Sequence, residues 1–226
     1  MKRVLEPEIM DDIERAMAYA QADFSASNQW FVDHLLADYP ALSGKLVDLG
    51  CGPGAVVIRL AKARPTLHVT AVDGSEAMIR LAGEAVRTQG VHEQVVPLCG
   101  RLPGLPLQNH SFDAVLSKDL LHHLPDPSLL WSEVSRLARS GAVIYVMDLF
   151  RPDTREEAQR LVEHTASQES PIETTQLVGS LSKRFEPPGS PVIIQEVLHP
   201  DPDCVRPRFI HPQAARRRQV FRQTVA

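Results

Sequence analysis

Val47-Asp48-Leu49-Gly50-Cys51-Gly52-Pro53-Gly54 is the stretch that decides the fold. A short apolar run, Leu46–Leu49, leads into it, and a helical apolar pattern over Ala55–Ala63 leaves it. Glycines at such a junction let the backbone turn sharply and approach a ligand that any Cβ would obstruct. The N-terminus of the helix that follows offers unpaired N–H groups and a positive dipole end, suited to a carboxylate or phosphate. Dinucleotide-binding turns use G-x-G-x-x-G, whereas the spacing here is G-x-G-x-G. Glycines alone also fit a tight turn with no ligand, so the neighbouring elements have to decide.

Outward from this stretch the pattern alternates. Strand-like runs recur at Leu67–Val72, Gln94–Leu98, Phe112–Leu116 and Ala142–Leu149, and helical stretches lie between them at Ser75–Arg87 and Ser128–Ala138. Strands separated by helices imply a parallel sheet, because parallel neighbours need crossover connections. The expected fold is α/β: a Rossmann-like, doubly wound, mainly parallel sheet with helices on both faces. Ligands of such sheets bind beyond the carboxyl ends of the strands, at the topological switch point. Asp73 ends the second strand nineteen positions after Gly54, where an acid can accept both hydroxyls of a ribose. Its plainer role is helix capping, for which Ser75 is better placed. Together these features select an adenosine-containing ligand without choosing which one.

The two ends of the chain read differently from the centre. Ile9, Ile13, Met17 and Ala20 form one apolar helical stripe, and a second helix starts near Ser25 with Trp30, Phe31, Leu35 and Leu36 on its buried face. Tyr39-Pro40 stops it. Residues 1–40 are thus expected as N-terminal helices, a lid carrying Tyr19, Phe24 and Trp30, or simply packed on the sheet. Residues 41–170 form the nucleotide-binding domain, with a last helix opened by a Thr154/Glu157 capping box. From 171 to 226 the chain becomes an atypical Pro/Arg-rich tail of expected disorder. Residues 182–226 hold seven prolines and eight basic against four acidic residues, and only Pro191–Leu198 there reads as a strand. A shifted reading frame or a divergent extension would produce such a change; translating the encoding DNA in the other frames separates the two.

Composition excludes several classes. The 226 residues carry a net charge of −4, too balanced for a general pull toward nucleic acid or anionic membrane. Cys51, Cys99 and Cys204 are scattered without metal-ligand spacing or a disulfide framework. Acids interrupt the N-terminus where a signal peptide needs an apolar run, and no segment is apolar for long enough to span a membrane. The expectation is a cytoplasmic protein with no metal, no nucleic-acid partner and no membrane span.

VDLGCGPG, VTAVDGSEAMI, LPLQNHSFDAVLSKDLLHHL and IYVMDLFRP, in that order over roughly residues 20–165, resemble a class I S-adenosylmethionine (SAM)-dependent methyltransferase of the small-molecule, quinone-biosynthesis-like branch. The resemblance implies that Asp48, Gly50, Gly52 and Gly54 surround the methionine part of SAM and that Asp73 holds the ribose. Gly74 then lies near the adenine, with Arg101 and Leu102 on its other side, and Ser117 lines the cofactor near the methyl group. Arg101 departs from the family, which commonly places an acid there to accept from the adenine amino group; arginine has no acceptor. Arg139-Ser140-Gly141 stands where a Pro-Gly-Gly turn is usual and is expected as a loop. The tail does not resemble the helix and antiparallel strand pair that normally complete the sheet edge.

Methyl transfer from a sulfonium needs mainly alignment, so no catalytic residue is compulsory. A base is required only where the acceptor must lose a proton. His122 and His123 are weak candidates, because an LHHL segment also serves packing, and Asp148 is a further one. Ser117-Lys118-Asp119-Leu120 lacks the Asn/Asp-Pro-Pro-aromatic sequence of amino-group methyltransferases, which favours a small-molecule substrate. Two rivals stay open: a SAM-binding, methyltransferase-like protein without turnover, and an NAD-dependent oxidoreductase, which would want G-x-G-x-x-G spacing and a catalytic pair.

Overall fold

The structure is a computed structural model that describes residues 10–149, 191–197 and 208–210. The expected helix opened by Thr154, Cys204 and most of the tail lie outside the described residues. In chain order the elements are α1 (Ile13–Gln21), α2 (Ser25–Asp38), β1 (Gly44–Leu49), α3 (Ala55–Ala63), β2 (Leu67–Asp73), α4 (Glu76–Thr88), β3 (Val95–Cys99), β4 (Phe112–Lys118), a 3-10 turn (Leu121–His123), α5 (Ser128–Leu137), β5 (Ala138–Leu149), β6 (Pro191–Val197) and β7 (Arg208–Ile210). Seven strands form one sheet in the order β3-β2-β1-β4-β5-β6-β7. The first five are parallel to their neighbours, and β6 and β7 are antiparallel. The chain runs outward from β1 to β3 and then returns to place β4 on the other side of β1. The switch point therefore opens between the C-terminal ends of β1 and β4, where the glycine stretch and Lys118 lie.

Alternation along the strands divides the core. Leu46, Val69, Ala71, Leu116 and Met147 pack under α2 and α3 with Phe31, Leu35, Val57 and Leu60. Val47, Leu49, Val115, Ile144 and Val146 face the other way and meet Leu130, Val134 and Leu137 of α5. Because successive side chains point to opposite faces, these near-continuous apolar strands suit a sheet covered on both sides. Ser75 caps α4 by accepting from Met78 N–H at 3.1 Å, as its position predicts.

Two sequence expectations change, and a third is met. The apolar stripe of α1 is not its buried face: Ile13 and Met17 are 43% and 46% exposed, while Ala16 is buried against Ala77 and Met78 of α4. Contacts at the helix start fix this rotation, since Ser75 Oγ donates to Met10 C=O at 2.6 Å and Glu76 N–H donates to Asp11 Oδ1 at 3.2 Å. Arg139-Ser140-Gly141 is no separate loop but the irregular start of β5, where register jumps from Phe112↔Ala138 to Ala114↔Val143. Gly141 absorbs the jump with φ +76. Finally, β6 follows the predicted strand and pairs with β5 from Val143↔Val197 to Leu149↔Pro191, so β5 is an inner strand of this sheet.

Candidate functional site

The glycine stretch is shaped by its own backbone. Gly50 takes φ +84, and a Cβ there would come within 2.8 Å of the Leu120 side chain. Gly52 takes φ +52 with no heavy atom within 4 Å of where its Cβ would stand, a cradle open on one side. Gly50 and Cys51 N–H donate to Val72 C=O at 2.8 and 2.9 Å, which locks the turn to β2. Asp73 Oδ2 accepts from Gly52 N–H and Oδ1 from Ser75 N–H, both at 2.9 Å. Each oxygen keeps a lone pair for a further donor. Burial pushes the Asp73 carboxyl above its ordinary range.

Beside the turn lies a cavity of about 300 Å³, at the lower end of small-ligand sites at roughly 300–1,000 Å³. Tyr19, Phe24 and Asn28 wall it from the N-terminal helices, and Asp48, Gly52 and Lys118 wall it from the sheet. Asp48 is 2% exposed, and its Oδ1 has no hydrogen-bond partner among the described residues. Burial, together with the Asp73 charge, pushes its carboxyl up to about 7, and Lys118 partly offsets this. An unpartnered buried carboxylate in a cavity is costly unless a ligand donates to it. The Tyr19 ring lies 5.0 Å from Phe24 at a tilt of 36°, and burial near Asp119 and Asp73 raises its phenol above the ordinary range.

The predicted site residues separate into groups. Asp48, Gly50 and Gly52 line the cavity. Gly54 caps α3. Asp73, Gly74 and Arg101 gather at the end of β2, where Arg101 Nε donates to Gly74 C=O at 3.4 Å and its Nη2 reaches Asp11 at 3.3 Å. Leu102 packs toward α5. Ser117 is fully buried, and its Oγ has no partner among the described residues. His122 Nδ1 lies 2.7 Å from Asp148 Oδ1, and Asp148 Oδ2 accepts from Leu121 N–H at 2.6 Å. A carboxylate only accepts, so the Nδ1 carries the proton. His123 packs its ring 4.1 Å from His122, and burial beside that neighbour pushes it down to about 4.

Some site-forming residues give no strong signal in sequence. Asp11 reaches Arg101 from ninety positions away. Glu133, 2% exposed, accepts from Gly104 and Leu105 N–H at 3.2 and 3.0 Å and pairs with Arg136 at 2.5 Å. Arg136 in turn donates to Leu105 and Leu107 C=O at 2.9 and 2.7 Å. This pair fixes the loop after β3 that carries Arg101. The i, i+3 spacing of Glu133 and Arg136 was readable, but their inward direction was not. Among the described residues no three His, Cys, Asp or Glu side chains gather as a metal site, and no helix is long and apolar enough to cross a membrane.

A family model described as "Methyltransferase domain" matches residues 47–146. Curated relatives include 27-O-demethylrifamycin SV methyltransferase of Amycolatopsis mediterranei, 32% identical over 51% of this chain and 43% of its own. Demethylmenaquinone methyltransferase of Lactiplantibacillus plantarum is 32% identical over 50% of this chain and 48% of its own. The chain thus spans less than half the length of either relative. Among solved structures, an S-adenosyl-L-methionine-dependent methyltransferase candidate from Methanococcus maripaludis superimposes with TM-score 0.59 at 18% identity, over 79% of this chain and 81% of that one. The [4+2]-cyclase SpnF does so with TM-score 0.54 at 20% identity, over 67% and 52%. These likenesses establish the fold, which hosts more than one chemistry. The glycine stretch and the strands β2 to β4 lie inside the matched segment, so residues 47–146 are similar to a methyltransferase domain, and the sheet has the Rossmann-like fold of the solved methyltransferase structures.

Proposed function

We propose that this chain transfers a methyl group from SAM to a small-molecule acceptor. The observation that carries the reading is the buried, unpartnered Asp48 carboxylate facing a cavity beside the open Gly52 cradle. That donor-seeking group suits the cofactor's ammonium, and the two remaining lone pairs of Asp73 suit a ribose diol. SAM, when bound, supplies a methyl group on a sulfonium. The protein's own contribution is to orient that carbon, exclude water beneath Tyr19 and Phe24, and accept a proton where the acceptor carries one. His122 is the base of this reading, with Asp148 accepting from its Nδ1–H and so orienting the ring. His123 stays neutral near pH 7. The named acceptors of the relatives, a rifamycin and a demethylmenaquinone, are small molecules, which supports the acceptor class.

The test is methyl transfer from labelled SAM across a panel of phenols, quinols, alcohols and amines, with products identified by mass. A gain of one methyl on a panel member is expected. Tight S-adenosylhomocysteine (SAH) binding without any methylated product would move the assignment to the second reading, a cofactor-binding protein without transfer.

A further inference from the structure

We propose that Asp11 and Arg101 form a latch that holds α1 shut over the cavity, so that this helix is a lid that opens and closes for ligand exchange. The inference rests on the cofactor reading above only for what passes beneath the lid. Tyr19 and Ala20 of α1 stand in the cavity wall, so the position of the helix decides whether the cavity is covered. Its apolar hold is thin. Ala16 is its one buried residue, set against Ala77 and Met78 of α4, while Ile13 and Met17 face solvent. A single methyl group buries little apolar surface, so polar contacts have to keep the helix in place.

Those contacts gather just before the helix. Ser75 Oγ donates to Met10 C=O at 2.6 Å and Glu76 N–H to Asp11 Oδ1 at 3.2 Å, which ties this segment to the start of α4. The other carboxylate oxygen, Asp11 Oδ2, accepts from Arg101 Nη2 at 3.3 Å. Arg101 Nε in turn donates to Gly74 C=O at 3.4 Å, so the guanidinium bridges the segment to the residue that follows Asp73. The Arg101 and Asp11 side chains are 64% and 49% exposed, and ion pairs so solvated are weak and screened by salt. A contact of that strength breaks and re-forms readily. At its other end α1 is joined to α2 by Ala22, Asp23 and Phe24 alone, so the helix is tethered there and latched at Asp11.

Amide hydrogen exchange of the full chain, read by mass over α1, tests the latch, because a nine-residue helix lifted off its support is marginal in water and exchanges. Asp11→Asn keeps an oxygen for Glu76 N–H but removes the charge, and Arg101→Met removes the cation. Each should speed α1 exchange about two- to fivefold, the range of an exposed ion pair. The double variant should exchange no faster than either single one, because both remove the same contact. Arg101→Glu should speed it further, since two carboxylates then repel. Raising salt from about 0.05 to 0.5 M should speed exchange in wild type and leave the double variant unchanged. Release of bound SAH, followed by surface plasmon resonance, should quicken in step. Unchanged α1 exchange in both single variants, additive effects in the double one, or an equal speed-up across the whole sheet overturns the proposal. So does faster exchange with SAH release unchanged, or weaker SAH binding with α1 exchange unchanged, which would make Arg101 a direct ligand contact. A wild-type chain that binds no SAH removes the cofactor reading, while the exchange measurement still decides the latch.

Discussion

Asp48 stands buried at the end of β1, and its carboxyl is pushed up to about 7. Between roughly pH 4 and pH 7 the folded chain therefore keeps a proton that the unfolded chain has released. Asp48 thus contributes a fall in stability without ligand as pH rises through that window, levelling off above it, against an opposing rise from His123, which is pushed down to about 4. Asp48→Asn should remove this contribution, so that the rise from His123 shows, melt at a higher temperature than wild type above pH 7, and bind SAH at least tenfold more weakly, on the scale of a lost charged hydrogen bond. Thermal melts over pH and calorimetry check both halves; an unchanged pH slope would contradict the assignment. The same ionisation predicts proton release when SAH binds below pH 7, readable as a buffer-dependent binding enthalpy. His122 and Asp148 give a different signature, because the proposed reading places them at the acceptor and not at the cofactor. His122→Ala should lower kcat by about 10²–10⁴ for a hydroxyl acceptor with SAH affinity unchanged. Asp148→Asn should lower it less, because the ring loses only its orienting carboxylate. An equal loss of SAH affinity would make the pair structural.

At the scale of elements, the turn from β1 to α3 and the loop after β3 are held by groups of opposite visibility. Gly50→Ala would place a methyl 2.8 Å from Leu120 at φ +84. It should destabilise the chain by about 1–3 kcal/mol, measurable by denaturant unfolding. Glu133→Ala should cost about 2–3 kcal/mol, because it leaves Gly104 and Leu105 N–H without acceptors and Arg136 without its partner. The glycines could be read from the sequence, since a strand-to-helix junction with three of them admits few geometries. Glu133 could not, because an i, i+3 pair with arginine reads as a solvated helix face until the loop folds over it. α1 shows the same limit in reverse: its apolar periodicity is real, but short polar contacts from Met10 and Asp11 turn that stripe outward.

For the molecule as a whole, the parallel sheet was legible because its strands are short apolar runs and three of its four crossovers are the helices α3, α4 and α5; the order β3-β2-β1-β4-β5 comes from the fold. The switch point followed from that order, and with it the place of Asp48, the glycines and Asp73. What the sequence withheld were distances across the fold. The Asp11 contact with Arg101 and the pairing of His122 with Asp148 join residues far apart in the chain, so no local spacing announces them. The central claim, that this arrangement holds SAM, is tested most directly by one calorimetric titration of the wild-type chain with SAH beside NAD. One-to-one SAH binding with no heat from NAD is the expected result; NAD binding without SAH binding would contradict it.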